Sequence, residues 1–373
     1  MIVVLTNIPT PYRTSFFDVF YEECKKRNIG FKVLYCAKTE SNRHWPFEPE
    51  EMKHPFEVLD GATLKTKGIE FHLNFSVVKK LKALKPNYLI CAGSWNMPTN
   101  LLALATVRYL QTKTIFWSEG HLDAVRYKKG FISKIRRFVL SKFDSFAVPN
   151  NKSKKWIELE LEKAIEYFTL PNTVDEEFFK PTDNLNVSEM KSELAIPSNK
   201  KVFLQVSQLE SRKGVIELVN SFLSIPESKR KDWLLVICGT GSLFDRLKAL
   251  ELQSNGSVFI AGHVDKYTIR KYLWLAEWFI LNTNRDPNPL TPIEASFTGT
   301  PLILSNKAGN FEELCLATEC IEINNVADVE DALLSAINMD PAKYEELKVK
   351  VSDNAIDNFS RREVVCNLLA EIN

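Results

Sequence analysis

Two short segments of this chain carry residue types suited to holding an anion. The first reads Leu204-Gln-Val-Ser-Gln-Leu-Glu-Ser-Arg-Lys-Gly214: an apolar run, a turn with two adjacent cations, then glycine. The second reads Asn284-Arg-Asp-Pro-Asn-Pro-Leu-Thr-Pro-Ile-Glu-Ala295, with carboxylates at Asp286 and Glu294. Both patterns predict the end of a buried strand followed by the start of a helix. There an α/β sheet presents backbone donors to an anion. Lys213 or Arg212 would meet a phosphate, and Glu294, in an otherwise apolar helix, needs a partner such as a ribose diol. Pro292 falls where a first helical turn tolerates proline. A cation and two carboxylates at successive crossovers suit a nucleoside diphosphate that carries a sugar.

Other segments hold weaker signals. Cys238-Gly-Thr-Gly-Ser242 lets backbone approach a ligand, but without a third glycine at the dinucleotide spacing it argues against a nicotinamide enzyme. Trp117-Ser-Glu-Gly-His121 places Glu119 and His121 at the carboxyl end of an apolar strand. Asn7-Ile-Pro-Thr-Pro-Tyr-Arg13 occupies the corresponding end of the first strand, with Tyr12 and Arg13 after two prolines. The stretch Arg126–Lys142 carries many cations and no carboxylate, and Phe131, Ile135, Phe138 and Val139 keep helical spacing. Such a helix rests on anionic lipid or packs on a core with a solvated basic face, and the pattern serves either.

These segments need elements to position them. Ile2–Leu5, Phe31–Tyr35, Tyr88–Cys91, Thr114–Trp117 and Ser145–Val148 read as buried parallel strands between helices. The alternation restarts after Pro171 with Val202–Val206, Trp233–Cys238, Val258–Ile260, Trp278–Leu281, Pro301–Leu304 and Cys320–Ile323. Two doubly wound sheets are expected, as a length of 373 residues also suggests. The expected domains are 1–172, 173–358 and a final helix in 359–373 that returns to the first.

Composition narrows the class. With 45% apolar and 25% charged residues the chain reads as a globular enzyme, and a net charge of +1 gives no overall pull toward nucleic acid. The seven cysteines form no Cys-x-x-Cys pair, so neither a disulfide framework nor a zinc ribbon is expected. The five histidines show no metal-ligand spacing. A strand that starts at Met1, with no basic leader and no apolar run of about 20 residues, is expected of a cytoplasmic protein.

In order and spacing, these motifs resemble the retaining glycosyltransferases of family 4. Leu170-Pro-Asn-Thr-Val-Asp175 with Phe179 and Pro181 is similar to the family's lead into its second domain. Ser207–Gly214, Gly239-Thr-Gly241, Ala261-Gly-His-Val264, Asp286 to Glu294 and Ala308-Gly-Asn-Phe-Glu312 follow in the family's order. The resemblance implies the GT-B fold: two Rossmann-like domains of doubly wound parallel sheet facing across a cleft, the amino-terminal one for the acceptor and the carboxyl-terminal one for a nucleotide sugar. It implies that Gln208, Arg212, Lys213 and Gly241 border the donor diphosphate, with Leu290 and Thr291 beneath the phosphates. Glu294 would take the ribose, His263 and Val264 the base, and Asp286 the donor sugar. Glu119 or His121 would orient the acceptor, alongside Tyr12 and Arg13.

Three departures stand out. Gln208 replaces the family's usual arginine, leaving open whether Arg212 substitutes for it. Asp286 is shorter than the usual glutamate, and the amino-terminal loop lacks the usual glycines.

The resulting expectation is a retaining, metal-independent hexosyltransferase of bacterial surface polysaccharide assembly, without a resident cofactor. Its co-substrate is a UDP-, GDP- or dTDP-sugar, with UDP foremost. Its acceptor is a glycan or lipid-linked sugar, and the stretch 126–142 is the candidate contact with the inner face of the plasma membrane. A non-catalytic nucleotide-sugar scaffold and a sugar-nucleotide epimerase remain as alternatives.

Overall fold

A computed structural model describes residues 1–41, 47–66, 69–118, 120–121, 130–182 and 185–372. The chain divides into two compact units, Met1–Thr173 with Arg361–Asn373, and Val174–Ser360.

The first unit contains β1 (Ile2–Thr6), β2 (Phe31–Tyr35), β3 (Phe56–Val58), β4 (Ala62–Thr66), β5 (Ile69–Leu73), β6 (Tyr88–Ala92), β7 (Lys113–Trp117), β8 (Ser145–Val148) and β9 (Tyr167–Thr169). Seven of these pair in parallel in the order β3-β2-β1-β6-β7-β8-β9, while β4 and β5 form a separate antiparallel hairpin. β1 is buried along its whole length because helices cover both faces of the sheet, so its side chains need no polar alternation. Strand order reverses between β1 and β6, and the loops after both emerge at that switch point.

β3, β4, β5 and β9 lie outside the strands that the apolar runs predict. β3 and β9 are three-residue edge strands, and every residue of β4 is exposed. None offers the buried run by which a central strand is recognised.

The second unit repeats the plan with β10 (Lys201–Val206), β11 (Trp233–Cys238), β12 (Val258–Gly262), β13 (Ala276–Leu281), β14 (Leu302–Ser305) and β15 (Ile321–Ile323). All pair in parallel, in the order β12-β11-β10-β13-β14-β15. Here the reversal falls between β10 and β13. The ends of those two strands carry the Lys213 and Asp286 segments.

The final helix, Arg361–Ile372, packs against the helix Pro11–Lys26 of the first unit. Val364, Val365, Leu368, Leu369 and Ile372 join Phe16, Phe17 and Phe20 in one buried cluster.

Cys24, Cys36, Cys91 and Cys238 are buried free thiols. Burial pushes Cys24, Cys36 and Cys238 up to about 12. Cys315 and Cys320 form a single local pair that the search for Cys-x-x-Cys did not anticipate, while the other five cysteines are free, so no disulfide framework is formed among the described residues. The chain turns back after the helical segment Glu312–Leu316, and the amide of Cys320 donates to the carbonyl of Cys315 at 3.3 Å. A spacing of five residues hides that turn from a search for Cys-x-x-Cys.

Leu368 is about 1% exposed inside the first unit's core. Leu368→Ala is expected to destabilise that unit by about 2–5 kcal/mol, the cost of an unfilled leucine cavity. A lowered denaturant midpoint for the first unit checks this.

Candidate functional site

At the end of β10 the chain makes a tight turn at Ser211–Lys213 and enters the helix Val215–Ser224 through Gly214. Gly214 has φ +63°, and a β-carbon there would lie 2.0 Å from the carbonyl oxygen of Asn282. Only glycine permits both the left-handed backbone and that approach.

The end of β13 grips this turn from the other side. The amide of Asn284 and the hydroxyl of Thr283 both donate to the carbonyl of Arg212, at 2.8 and 3.0 Å. The side-chain amide of Asn282 donates to the carbonyl of Gly214 at 3.2 Å. Within the core, Gln205 Nε2 donates to the carbonyl of Lys213 at 3.2 Å. Parallel pairing of β10 with β13 sets up these contacts, and together they fix where Lys213 points.

It points at Asp286: Lys213 Nζ donates to Asp286 Oδ2, and both residues are buried. The Asp286 loop is itself clamped. The amide of Gly309 donates to the carbonyl of Asp286 at 2.7 Å, Asn310 Nδ2 donates to the carbonyl of Pro289 at 2.9 Å, and Asp286 bridges Ala308. A β-carbon on Gly309 would fall 1.5 Å from the carbonyl oxygen of Pro287. The segment from Ala308 thus works as a bracket for the loop.

The helix Thr291–Phe297 follows, with proline in its first turn and no side-chain cap. The amides of Ile293 and Glu294 donate back to the carbonyl of Leu290 at 2.9 and 3.0 Å. Leu290 and Thr291 lie at the helix start, where the backbone carries partial positive charge. Glu294 retains some exposed surface as a residue, yet its carboxyl group is enclosed, and this burial pushes it up to about 7.

Arg212 and Gln208 meet directly, with Nη2 donating to Gln208 Oε1 at 2.6 Å. Gly241 lies against backbone, and a β-carbon there would come within 2.5 Å of the Leu209 carbonyl oxygen. Its loop is joined to the Gln208 segment by Leu209 N donating to the carbonyl of Thr240 at 2.9 Å. His263 is exposed and Val264 half-buried, just past β12. All these segments leave the carboxyl ends of the second unit's strands.

In the first unit, Arg13 stacks its guanidinium 4.7 Å from the Trp117 ring centroid and donates from Nη1 to Thr6 Oγ1 at 3.3 Å. Tyr12 is exposed, His121 is buried, and Glu119 lies outside the described residues. Nearby, Gly93, Ser94, Trp95, Phe116, Ser118 and Trp156 are among the residues lining a cavity of about 350 Å³.

The helix Phe131–Leu140 corrects the expected apolar stripe. Ser133, Arg136, Val139 and Leu140 are buried, whereas Phe131 and Phe138 are 76% and 64% exposed. Arg136 is not on the solvated face, because its Nη2 donates to Glu160 Oε2 at 2.7 Å in the interior. Arg137 pairs with Glu162 at 2.8 Å. Residues 126–129 lie outside the described residues.

Residues 186–357 match the family described as glycosyl transferases group 1. That match covers most of the second unit and a little under half of the whole chain. Over 175 residues the chain is 29% identical to a UDP-Gal:alpha-D-GlcNAc-diphosphoundecaprenol alpha-1,3-galactosyltransferase of Escherichia coli, covering 44% of this chain and 43% of that protein. Over 120 residues it is 28% identical to an alpha-monoglucosyldiacylglycerol synthase of Streptococcus pneumoniae, covering 32% of this chain and 27% of that one. The matches therefore span less than half of these relatives. The crystal structure of Anabaena Alr3699/HepE in complex with UDP superposes with a TM-score of 0.75 and 13% identity, over 100% of this chain and 99% of that one. The fold is GT-B.

Gln205, Asn282 and Thr283, which hold the Lys213 turn, are residues that the candidate-site reading of the sequence does not single out. Their signal in the sequence is a polar residue interrupting or ending an apolar strand, as in Leu204-Gln-Val and Leu281-Asn-Thr.

Glu294 gives a pH signature. Its folded value of about 7 lies above the ordinary 4.5, so protonation favours the folded state. The associated stability is fully present below 4.5 and is lost as pH rises toward 7 and beyond. Glu294→Gln should remove this loss. Its stability relative to wild type is expected to rise by up to about 3 kcal/mol between pH 4.5 and 8, as denaturant titrations at the two pH values would show.

Proposed function

We propose that this protein is a retaining glycosyltransferase that moves a hexose from a nucleoside diphosphate donor to a glycan or lipid-linked acceptor in surface polysaccharide assembly. The observation that carries the reading is the contact of Lys213 with Asp286 at the strand-order switch, one crossover from the buried carboxyl of Glu294. Two adjacent cations, Arg212 and Lys213, at the switch point beside a helix start suit phosphate oxygens, with Lys213 held by Asp286 until an anion takes that carboxylate's place.

In this reading the donor lies on the second unit. Glu294 accepts from the ribose hydroxyls, His263 and Val264 border the base, and Asp286 faces the donor sugar. Gly241 supports the diphosphate loop. Transfer breaks the bond from the anomeric carbon to the diphosphate and forms one to the acceptor oxygen. The acceptor proton passes to the departing phosphate. Charge builds on that phosphate, so Lys213, Arg212 and the amides at Leu290 and Thr291 stabilise the transition state without requiring a metal.

The acceptor is assigned to the first unit, near Tyr12, Arg13 and either Glu119 or His121. A UDP-sugar is the favoured donor, since the similar Anabaena protein is described in complex with UDP.

Lys213→Ala is expected to lower turnover at least about tenfold, or about 1.4 kcal/mol of barrier. Wild-type kinetics in that variant would refute the assignment. Nucleotide binding without sugar transfer to any acceptor would instead favour a scaffold, and epimerised donor in the absence of acceptor would favour an epimerase.

The same reading places the first unit against anionic lipid through Phe131, Ile132, Ile135 and Phe138, which are exposed beside Lys134 and Arg137. No described helix is long and apolar enough to cross a membrane. Replacing Phe131 and Phe138 with serine is expected to reduce co-sedimentation with phosphatidylglycerol vesicles about tenfold or more, given roughly 1.5–3 kcal/mol for each fully buried phenylalanine. Unchanged sedimentation would remove the lipid assignment.

A further inference from the structure

The two cations that follow β10 are treated differently by their neighbours. Lys213 is buried and already contacts a carboxylate, Asp286. Arg212 is half-buried and bonds neutral acceptors: Gln208 Oε1 at 2.6 Å from Nη2, and the carbonyl of Arg285 at 3.4 Å from Nη1. The nearby carboxylate Glu210 is turned onto Ser242, accepting from its amide at 3.1 Å and its hydroxyl at 2.8 Å.

A carboxylate in contact cancels most of an ammonium's charge for an arriving anion. Neutral acceptors orient a guanidinium without cancelling anything. The guanidinium also keeps N–H groups in a planar fork that matches two phosphate oxygens. Lys213 has a carboxylate in direct contact, whereas Glu210 acts on Arg212 only through space while bonding Ser242. Arg212, on the more accessible side, is thus the turn's cation whose hydrogen bonds to Gln208 and Arg285 both go to neutral groups.

We infer that Arg212, aimed by Gln208, is the principal anchoring cation for the donor diphosphate. Lys213 reaches the phosphates only by exchanging Asp286 for them. This rests on the nucleoside-diphosphate reading above and assigns the division of labour within it. Gln208 then acts as a positioning residue: its uncharged side chain holds the guanidinium, where a second cation would repel it.

The test begins by titrating UDP, GDP and dTDP into the wild-type protein by calorimetry, then takes the tightest binder and its nucleoside forward. Arg212→Ala should weaken the diphosphate at least about tenfold, about 1.4 kcal/mol. The nucleoside, followed by ligand-observed NMR, should bind unchanged. Adding Gln208→Arg to Arg212→Ala restores a cation a short distance away and should recover diphosphate affinity to within about threefold of wild type.

Unchanged diphosphate affinity in Arg212→Ala overturns the proposal. So does equal weakening of diphosphate and nucleoside, which would mark a general distortion, or a double variant that recovers nothing. If none of the three diphosphates binds wild type, the nucleotide-binding reading itself falls, an outcome distinct from an Arg212 variant that binds normally.

Discussion

The buried contact between Lys213 and Asp286 is the interaction around which the second unit's site is organised. The residues are 73 positions apart in the chain, and they meet because β10 and β13 are hydrogen-bonded parallel neighbours on either side of the strand-order reversal. Removing one partner of a buried ion pair strands the other charge in a poorly solvating interior, at a cost on the order of 3–5 kcal/mol. The surroundings accordingly leave neither partner free to wander. Gly214 gives the Lys213 turn its left-handed exit, Asn282, Thr283 and Asn284 hold it from β13, and Gly309 and Asn310 bracket the loop of Asp286.

Around that pair the charges are arranged by environment rather than by number. Lys213 is compensated, Arg212 is oriented by neutral groups, and burial raises Glu294 to about 7. On the proposed reading, a diphosphate would meet a guanidinium oriented by neutral groups and a helix start, then the raised carboxyl of Glu294. Preorganised dipoles and charges of this kind need little rearrangement when negative charge develops on a leaving group.

The first unit uses the same sheet logic with different side chains. Its strand ends carry aromatic surface, with Arg13 lying over Trp117 and a cavity bordered by Trp95, Phe116 and Trp156. Its helix Phe131–Leu140 turns Val139 and Leu140 inward and pins itself with the buried Arg136–Glu160 pair, leaving two phenylalanines outside. An ordinary core helix would do the reverse with such residues.

The sequence alone determined the central strands, because a strand covered on both faces must be an unbroken apolar run, and the expectation of two doubly wound sheets followed from their alternation with helices. It also marked Lys213, Asp286 and Glu294 as residues at strand ends or helix starts. Edge strands such as β3 and β9, and the exposed β4, carried no such run and were invisible to that argument. Only the tertiary structure decided which strands became neighbours, and therefore that Lys213 faces Asp286, that Arg212 lies on Gln208, and that Arg136 is buried while Phe138 is not. Periodicity reports that a residue is apolar or charged at a given phase of its own element. Which face that phase presents, and to whom, depends on packing between segments far apart in the chain.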